Sequence, residues 1–370
     1  MQGPRLNVTV GRRQRSQRRR RSRTFIPAVV TASIALVAAA AIAGFGITTA
    51  SLSAVKSAKS GAGLRIALII PAYTTNGLIL DIKNGAEQAA TAVGAKLVVT
   101  GSNAATDQVN AFQDAVASHA SAIVYDGIDA AAITPSVEMA NAAKIPVICD
   151  NSCSSGGTNA ASILFNYVYF GGLIGHWLAE QLPGKKGTIG IIDTDRQDMT
   201  VQEIYQGIYA GINATGAKPK IVISTPTNFD PSLGLTAATN LLEANPDLTV
   251  LACGHDLLLP SCLAALKATN YKKIPVAGAG GTCQGLQDVL DGKAQFTAYE
   301  SLYHAGQLGV QDAVEAVHGK KPPTTNLNGY MMAVTTAKAK AILAGTVHVP
   351  SSLGLLPLLK EAKANTCPAA

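Results

Sequence analysis

Side chains able to hold a small polar molecule stand at the ends of successive short apolar runs: Tyr73, Thr75 and Asn76; Asp126; Asp150 and Asn151; Arg196 and Asp198; Phe229; His255 and Asp256; and Glu300. Carboxylates and amides each engage two hydroxyl groups, and an aromatic plate covers a C–H face, so the set suits gripping a polyhydroxy compound. Each has a plainer role beside this one: Asp126 and Asp150 suit turn caps, Phe229 a core position, and His255 with Asp256 a helix start. Catalytic patterns fail. There is no GxSxG, HExxH or GxxxxGK, and the pattern opening at Gly278-Ala279-Gly280 meets Cys283 where the next glycine is required. No catalytic residue and no cofactor are expected. Cys253, His255, Cys262 and Cys283 are zinc-ligand types without CxxC spacing, and His176 with Glu180 reads as a solvated helical face, so no metal is expected either.

The runs that must position these residues alternate between two periods. Short β-branched stretches at 64–70, 96–100, 122–126, 145–149, 188–192, 220–225, 249–253 and 274–278 read as strands. Alanine-rich stretches with one apolar stripe at 81–93, 107–119, 133–143, 171–181, 200–214, 232–244, 257–269 and 284–291 read as helices. This is the pattern of βαβ units and a parallel sheet. About four units precede residue 167 and four follow, more than one open sheet needs, so two similar lobes are expected.

Charge narrows the partners. The formal net charge is +7, yet the first 24 residues hold nine arginines and no acid, which leaves the rest close to neutral. Such a body cannot neutralise phosphates, and nucleic acid is not expected as a partner. Residues 25–55 carry no charge and follow the arginines directly, as in an export signal or a membrane anchor. Residues 1–54 are therefore expected to be a signal peptide or an N-terminal anchor, with a linker at 55–63 and an extracytoplasmic body that is periplasmic, secreted or held at the cell surface. The six cysteines, Cys149, Cys153, Cys253, Cys262, Cys283 and Cys367, allow 15 full pairings. Cys149/Cys153 and Cys253/Cys262 are the simplest local pairs, and buried thiols are the alternative.

Four blocks, in this order, carry a resemblance: IALIIPAYTTNGLILDIKNGAEQAA (66–90), AIVYDGIDAAAITPSVEMANAAKIPVICDN (122–151), NFDPSLGLTAATNLLEANPDLTVLACGHD (228–256) and IPVAGAGGTCQGLQDVLDGKAQFTAYES (274–301). The chain resembles the ribose-binding-protein type of periplasmic sugar-binding protein, whose fold is shared with the effector domains of LacI-like repressors. The resemblance implies an α/β, type I periplasmic-binding-protein fold: two Rossmann-like lobes with parallel sheets, joined by a hinge of three crossovers near 166–168, 299–301 and 326–329. One lobe would comprise 64–167 with 301–327, the other 168–300 with 328–348, and 349–370 would extend past the usual family end.

The same resemblance places Asp126, Asn151, His255 and Glu300 at polar ligand contacts and Phe229 at an aromatic one. Gly77 and Leu78 stand where two aromatics are usual, Asn151-Ser152 replaces Asp-Arg, Ile204 replaces an arginine and Gly280 an aspartate, so the ligand set departs from the pentose type. The function implied is a monomeric, non-catalytic solute-binding protein delivering a small molecule, with a neutral sugar or polyol favoured, to the permease subunits of an ABC importer. The alternatives are a ligand sensor for a signalling receptor, or a binder of a cationic or other non-sugar compound.

Overall fold

The computed structural model describes residues 60–72, 77–196 and 199–367, which fall in one compact unit. The expected leader, the first part of the linker, and Tyr73, Thr75, Asn76 and Asp198 lie outside the described residues. No described helix is long and apolar enough to cross a membrane.

The chain begins with β1 (Arg65–Pro71), α1 (Gly77–Val93), β2 (Lys96–Ser102), α2 (Ala105–Ala117), β3 (Ala122–Tyr125), α3 (Ala130–Ala142), β4 (Val147–Asp150) and β5 (Ala161–Leu164). It continues with α4 (Tyr167–Glu180), β6 (Thr188–Ile192), α5 (Met199–Ala214), β7 (Lys220–Ile223), α6 (Pro231–Ala244), β8 (Leu248–Cys253), α7 (Leu259–Ala268), β9 (Val276–Gly280), α8 (Cys283–Leu290) and β10 (Phe296–Glu300). Then follow α9 (Leu302–Val317), β11 (Thr325–Asn326), β12 (Met331–Thr335), α10 (Thr336–Leu343) and α11 (Leu355–Ala364).

Among the described residues these strands build two six-stranded sheets, ordered β11-β5-β4-β3-β1-β2 and β12-β10-β9-β8-β6-β7. Every pairing is parallel except β12 against β10. Central strands buried on both faces read as continuous apolar runs, as in the burial of β3, β4 and β6 along their whole length. The chain passes between the sheets three times: after β5 into α4, after β10 into α9, and from β11 to β12. This is the expected three-crossover architecture.

Glycines make the helices next to two of these crossovers rigid. On α4 and α5, a Cβ at Gly171, Gly175, Gly207 or Gly211 would strike the facing helix backbone; Gly85 and Gly306 do the same between α1 and α9. The paired backbones therefore touch along these helices.

All six cysteines are paired: Cys149–Cys153, Cys253–Cys262 and Cys283–Cys367. The first two tie down the chain where β4 and β8 end. The third joins the start of α8 to the C-terminal segment, 84 residues away in sequence.

Candidate functional site

In parallel α/β sheets the loops at the carboxyl ends of strands form the natural binding crevice. Three acids gather at such ends in the first sheet and the hinge. Asp126 follows β3 and is 3% exposed, Asp150 closes β4 and is fully buried, and Glu300 closes β10 at 7% exposure.

Asp126 is held by its loop: its backbone oxygen accepts from Gln108 Nε2 at 2.7 Å, and its Oδ1 accepts from the Ser152 amide at 3.2 Å. Gln108, itself buried, also accepts from the Ile128 amide. Gly127 donates to the Ser152 carbonyl, and a Cβ there would clash with that same oxygen. The opposing loop carries Asp150 and Asn151, the latter at φ 69°, a left-handed conformation that asparagine tolerates and the Cys149–Cys153 bond encloses.

Tyr167, at the start of α4, joins the cluster. Its hydroxyl donates to Asn151 Oδ1 at 2.9 Å and is also hydrogen-bonded to Glu300. Burial first, then Glu300 and Asp126, push its phenol well above the ordinary tyrosine range. Burial likewise raises Asp150 well above the usual carboxylate range, with Asp126 adding repulsion. Glu300 is raised to about 8 by burial, with Asp126 and Asp256 opposing its charge and the Tyr167 bond partly offsetting them. Both carboxyl oxygens of Asp150 and Oε2 of Glu300 have no hydrogen-bond partner among the described residues. Three buried acceptors without donors are costly alone and favour a molecule that brings hydroxyl or ammonium hydrogens.

A second group stands on the other lobe. Phe229, at φ 60° in the turn before α6, is half-buried and meets the His255 ring edge-on at 5.4 Å between centroids. The turn is set by Thr227 Oγ1 donating to the Asp193 carbonyl and by Asp230 capping α6. His255 follows β8; its Nδ1 accepts from the Leu257 amide, and burial lowers its pKa to about 4. The imidazole is thus neutral, with its proton on Nε2.

Two expected contacts are differently engaged. Arg196 donates through Nε to Asp193 Oδ2 at 2.5 Å and through Nη2 to the Ser224 carbonyl, while Tyr205 donates to the other Asp193 oxygen. Its charge is matched inside its own lobe, and the structure does not bring it to the acids. Asp256 turns into the second lobe, accepting from Thr282 N at 2.9 Å and Thr297 Oγ1 at 3.0 Å where Gly278 and Gly285 leave it room. Burial raises it to about 7. Ile204, in the expected arginine position, lines a small apolar pocket with Val201, Ile208, Gly254 and Gly278. Gly280, in the expected aspartate position, has φ 116°. Sequence reasoning missed Tyr167 and Gln108; only the position of Tyr167 beside an expected crossover signalled it.

The fold and cluster define a bilobed α/β receptor with its polar groups gathered at the hinge. The family model described as "Periplasmic binding protein domain" matches residues 66–321, and the chain belongs to that family, of type I. The ribose import binding protein of Salmonella typhimurium is 29% identical over 277 residues, covering 74% of this chain and 92% of that one. Two crystal structures share the fold. An ABC transporter solute-binding protein of Mycobacterium smegmatis with bound glycerol has TM-score 0.68 and 24% identity, covering 76% of this chain and 97% of that one. One from Actinobacillus succinogenes with bound D-allose has TM-score 0.69 and 22% identity, covering 75% and 99%.

Two outcomes are expected from this geometry. Phe229→Ala weakens binding of a sugar found for the protein by about ten- to a hundredfold while the ligand-free melting temperature drops by less than about 4 °C, because a half-exposed ring contributes little packing. Calorimetry with melting curves checks this, and a large fall in melting temperature would place the ring in the core instead.

The second concerns acidity. Glu300 and Asp256 are raised above their unfolded values, so their contribution to stability is complete below about pH 4 and is lost as pH rises through about 7 to 8. His255 is lowered, so its contribution is present above about 6.5 and is lost as pH falls through about 4. Ligand-free stability should therefore be greatest at mildly acid pH and decline by a few kcal/mol toward pH 8. Denaturant titrations across pH 3 to 9 measure it; a maximum at or above pH 8 would contradict the assignment.

Proposed function

We propose that this chain is the extracytoplasmic solute-binding component of an ABC importer, closing its two lobes on a neutral sugar or polyol and passing it unchanged to permease subunits. The observation that carries this reading is the set of buried oxygens of Asp150 and Glu300 that lack a donor among the described residues, beside Tyr167 and Asn151. Vicinal hydroxyls supply the missing hydrogens, and Phe229 offers a face to the C–H side of a ring. The import role of the Salmonella relative and the D-allose in the Actinobacillus structure support the choice of sugar. The arginine-led apolar leader supports export, and the family supports binding without turnover.

The test is a screen of melting shifts across sugars, polyols, nucleosides and amines, followed by calorimetry. A neutral sugar or polyol should raise the melting temperature by several degrees at a hundredfold excess over its Kd. The sole tryptophan, Trp177, stacks on Phe296 of β10 at 5.0 Å and gives a fluorescence signal from the strand that ends in Glu300. Finding no neutral binder, or recovering the bound compound chemically changed, would defeat the reading. The body from residue 60 onward acts as a monomer in this scheme, and size-exclusion chromatography with light scattering would expose a ligand-free dimer.

A further inference from the structure

The chain runs on past β12, and beyond the region matched to the family, through α10 and α11 to Cys367. This extension is built in. Leu353, Leu355, Leu359 and Ala362 are buried, α11 packs on α8, and Cys367 is bonded to Cys283 at the first position of α8. Between α10 and α11, the turn at 350–354 crosses the point where β10 hands the chain to α9. There the Leu353 carbonyl accepts two hydrogen bonds, from Tyr299 Oη at 2.5 Å and from Ser301 Oγ at 2.6 Å. Gly354, at φ 71°, lies directly on the side chain of Tyr303 in the first turn of α9, where a Cβ would come within 3.0 to 3.1 Å of it.

Tyr299 and Ser301 are the two neighbours of Glu300. Alternation along β10 sends Tyr299 to the face where it packs with α8 and the extension, and Glu300 to the opposite face, where its carboxyl meets Tyr167. Tyr299 is 1% exposed and Ser301 fully buried; both hydroxyls bond this carbonyl, and the two side chains also hydrogen-bond each other.

We propose that Tyr299 and Ser301 are positioning residues for Glu300, and that the C-terminal extension, stapled by Cys283–Cys367, is the anchor they use. The extension grips the strand end from behind and so fixes the carboxyl group. A binding group must be held to within about half an ångström to act. Its effect on affinity rests on the proposed role of Glu300; its effect on the strand does not.

The double variant Tyr299→Phe with Ser301→Ala removes both donors and leaves the ring and the backbone in place. Hydrogen exchange of amides 300–303 in the ligand-free protein should quicken at least tenfold, with the rest of the second lobe unchanged and the melting temperature within a few degrees of the parent. Ser301→Thr, which keeps a hydroxyl, should restore part of the protection. In calorimetry with D-allose and D-ribose, the double variant should bind whichever sugar the parent binds at least fivefold more weakly. Unchanged exchange at 300–303, or a uniform rise across the lobe, would overturn the proposal. If neither sugar binds the parent, the exchange experiment alone decides it, whereas normal binding by Glu300→Gln would remove Glu300 from the site and leave the anchor standing.

Discussion

A sugar acid or sugar phosphate will bind at least about a hundredfold more weakly than its neutral parent sugar, a difference of roughly 3 kcal/mol. The cluster at the hinge holds Asp126, Asp150 and Glu300, and the charges that perturb Asp150 and Glu300 are all acids. The arginine nearest in sequence logic, Arg196, is spent on Asp193. The position of Ile204 is apolar and that of Gly280 carries no side chain. An added anion about 4 Å from an ionised member of this cluster meets about 4 kcal/mol of repulsion at an effective dielectric of 20, and no guanidinium among the described residues joins the cluster to offset it. A neutral polyol instead donates hydrogens to acceptors that lack them, and an amine at the same place lowers the repulsion among the acids. Calorimetry on one series, comparing a neutral sugar with its uronic acid, its phosphate and its amino derivative, measures the order directly. Tighter binding of the acid or phosphate would mean that a cation reaches the cleft, and the site as drawn would be wrong.

The eight strands expected from β-branched runs correspond to β1 to β4 and β6 to β9; the central ones, buried on both faces, write themselves as short apolar words, and the edge strands β2 and β7 keep β-branched runs of their own. The missed strands lack that signature. They are β5, β10, β11 and β12: β5 alternates buried and half-buried positions, β11 has two residues, β12 is half-buried at three of its five, and β10 reads Phe-Thr-Ala-Tyr-Glu, where Thr297 and Tyr299 satisfy buried partners that periodicity cannot reveal. Helix α9 was not among the expected helices; its Gly306 meets the backbone of α1 and its Gly309 the side chain of Val124 in β3. The two local disulfides were open to sequence reasoning, since four and nine residues separate their cysteines. The third was not, because only the folded extension brings Cys367 to α8.

The candidate site divides along the same line. Asp126, Asp150 and Asn151 could be read from their places after apolar runs and Glu300 from the resemblance, and the structure brings them together. Whether a polar residue at a strand end faces a crevice or its own lobe depends on tertiary partners. Arg196 and Asp256 found theirs in Asp193 and in Thr282 with Thr297. Both loops that border the crevice are closed by short disulfides, Cys149–Cys153 beside Asp150 and Cys253–Cys262 beside His255.

Replacing Asp150 by Asn will lower affinity for a neutral sugar by at least a hundredfold and leave the ligand-free protein as stable as the parent or more so. The two effects share one cause. Asp150 is fully buried, neither of its oxygens has a partner among the described residues, and burial with the nearby Asp126 drives its carboxyl far above the ordinary range. In the empty protein that group is a cost, so an amide of the same shape relieves desolvation and repulsion; a gain of about 1 kcal/mol would raise the melting temperature by roughly 2–4 °C. With sugar bound, an ionised carboxylate accepts two charge-assisted hydrogen bonds, whereas the amide offers one acceptor and sets its own donors against hydroxyl groups. Because hydroxyl donors favour the ionised acid, binding by the parent should release protons and strengthen as pH rises toward about 8, the value for Glu300. That dependence should flatten when Asp150→Asn is combined with Glu300→Gln. Melting curves without ligand and calorimetry at pH 6 and 8 separate the alternatives: a variant that melts well below the parent yet keeps its affinity would show that Asp150 holds the lobe together and not the sugar.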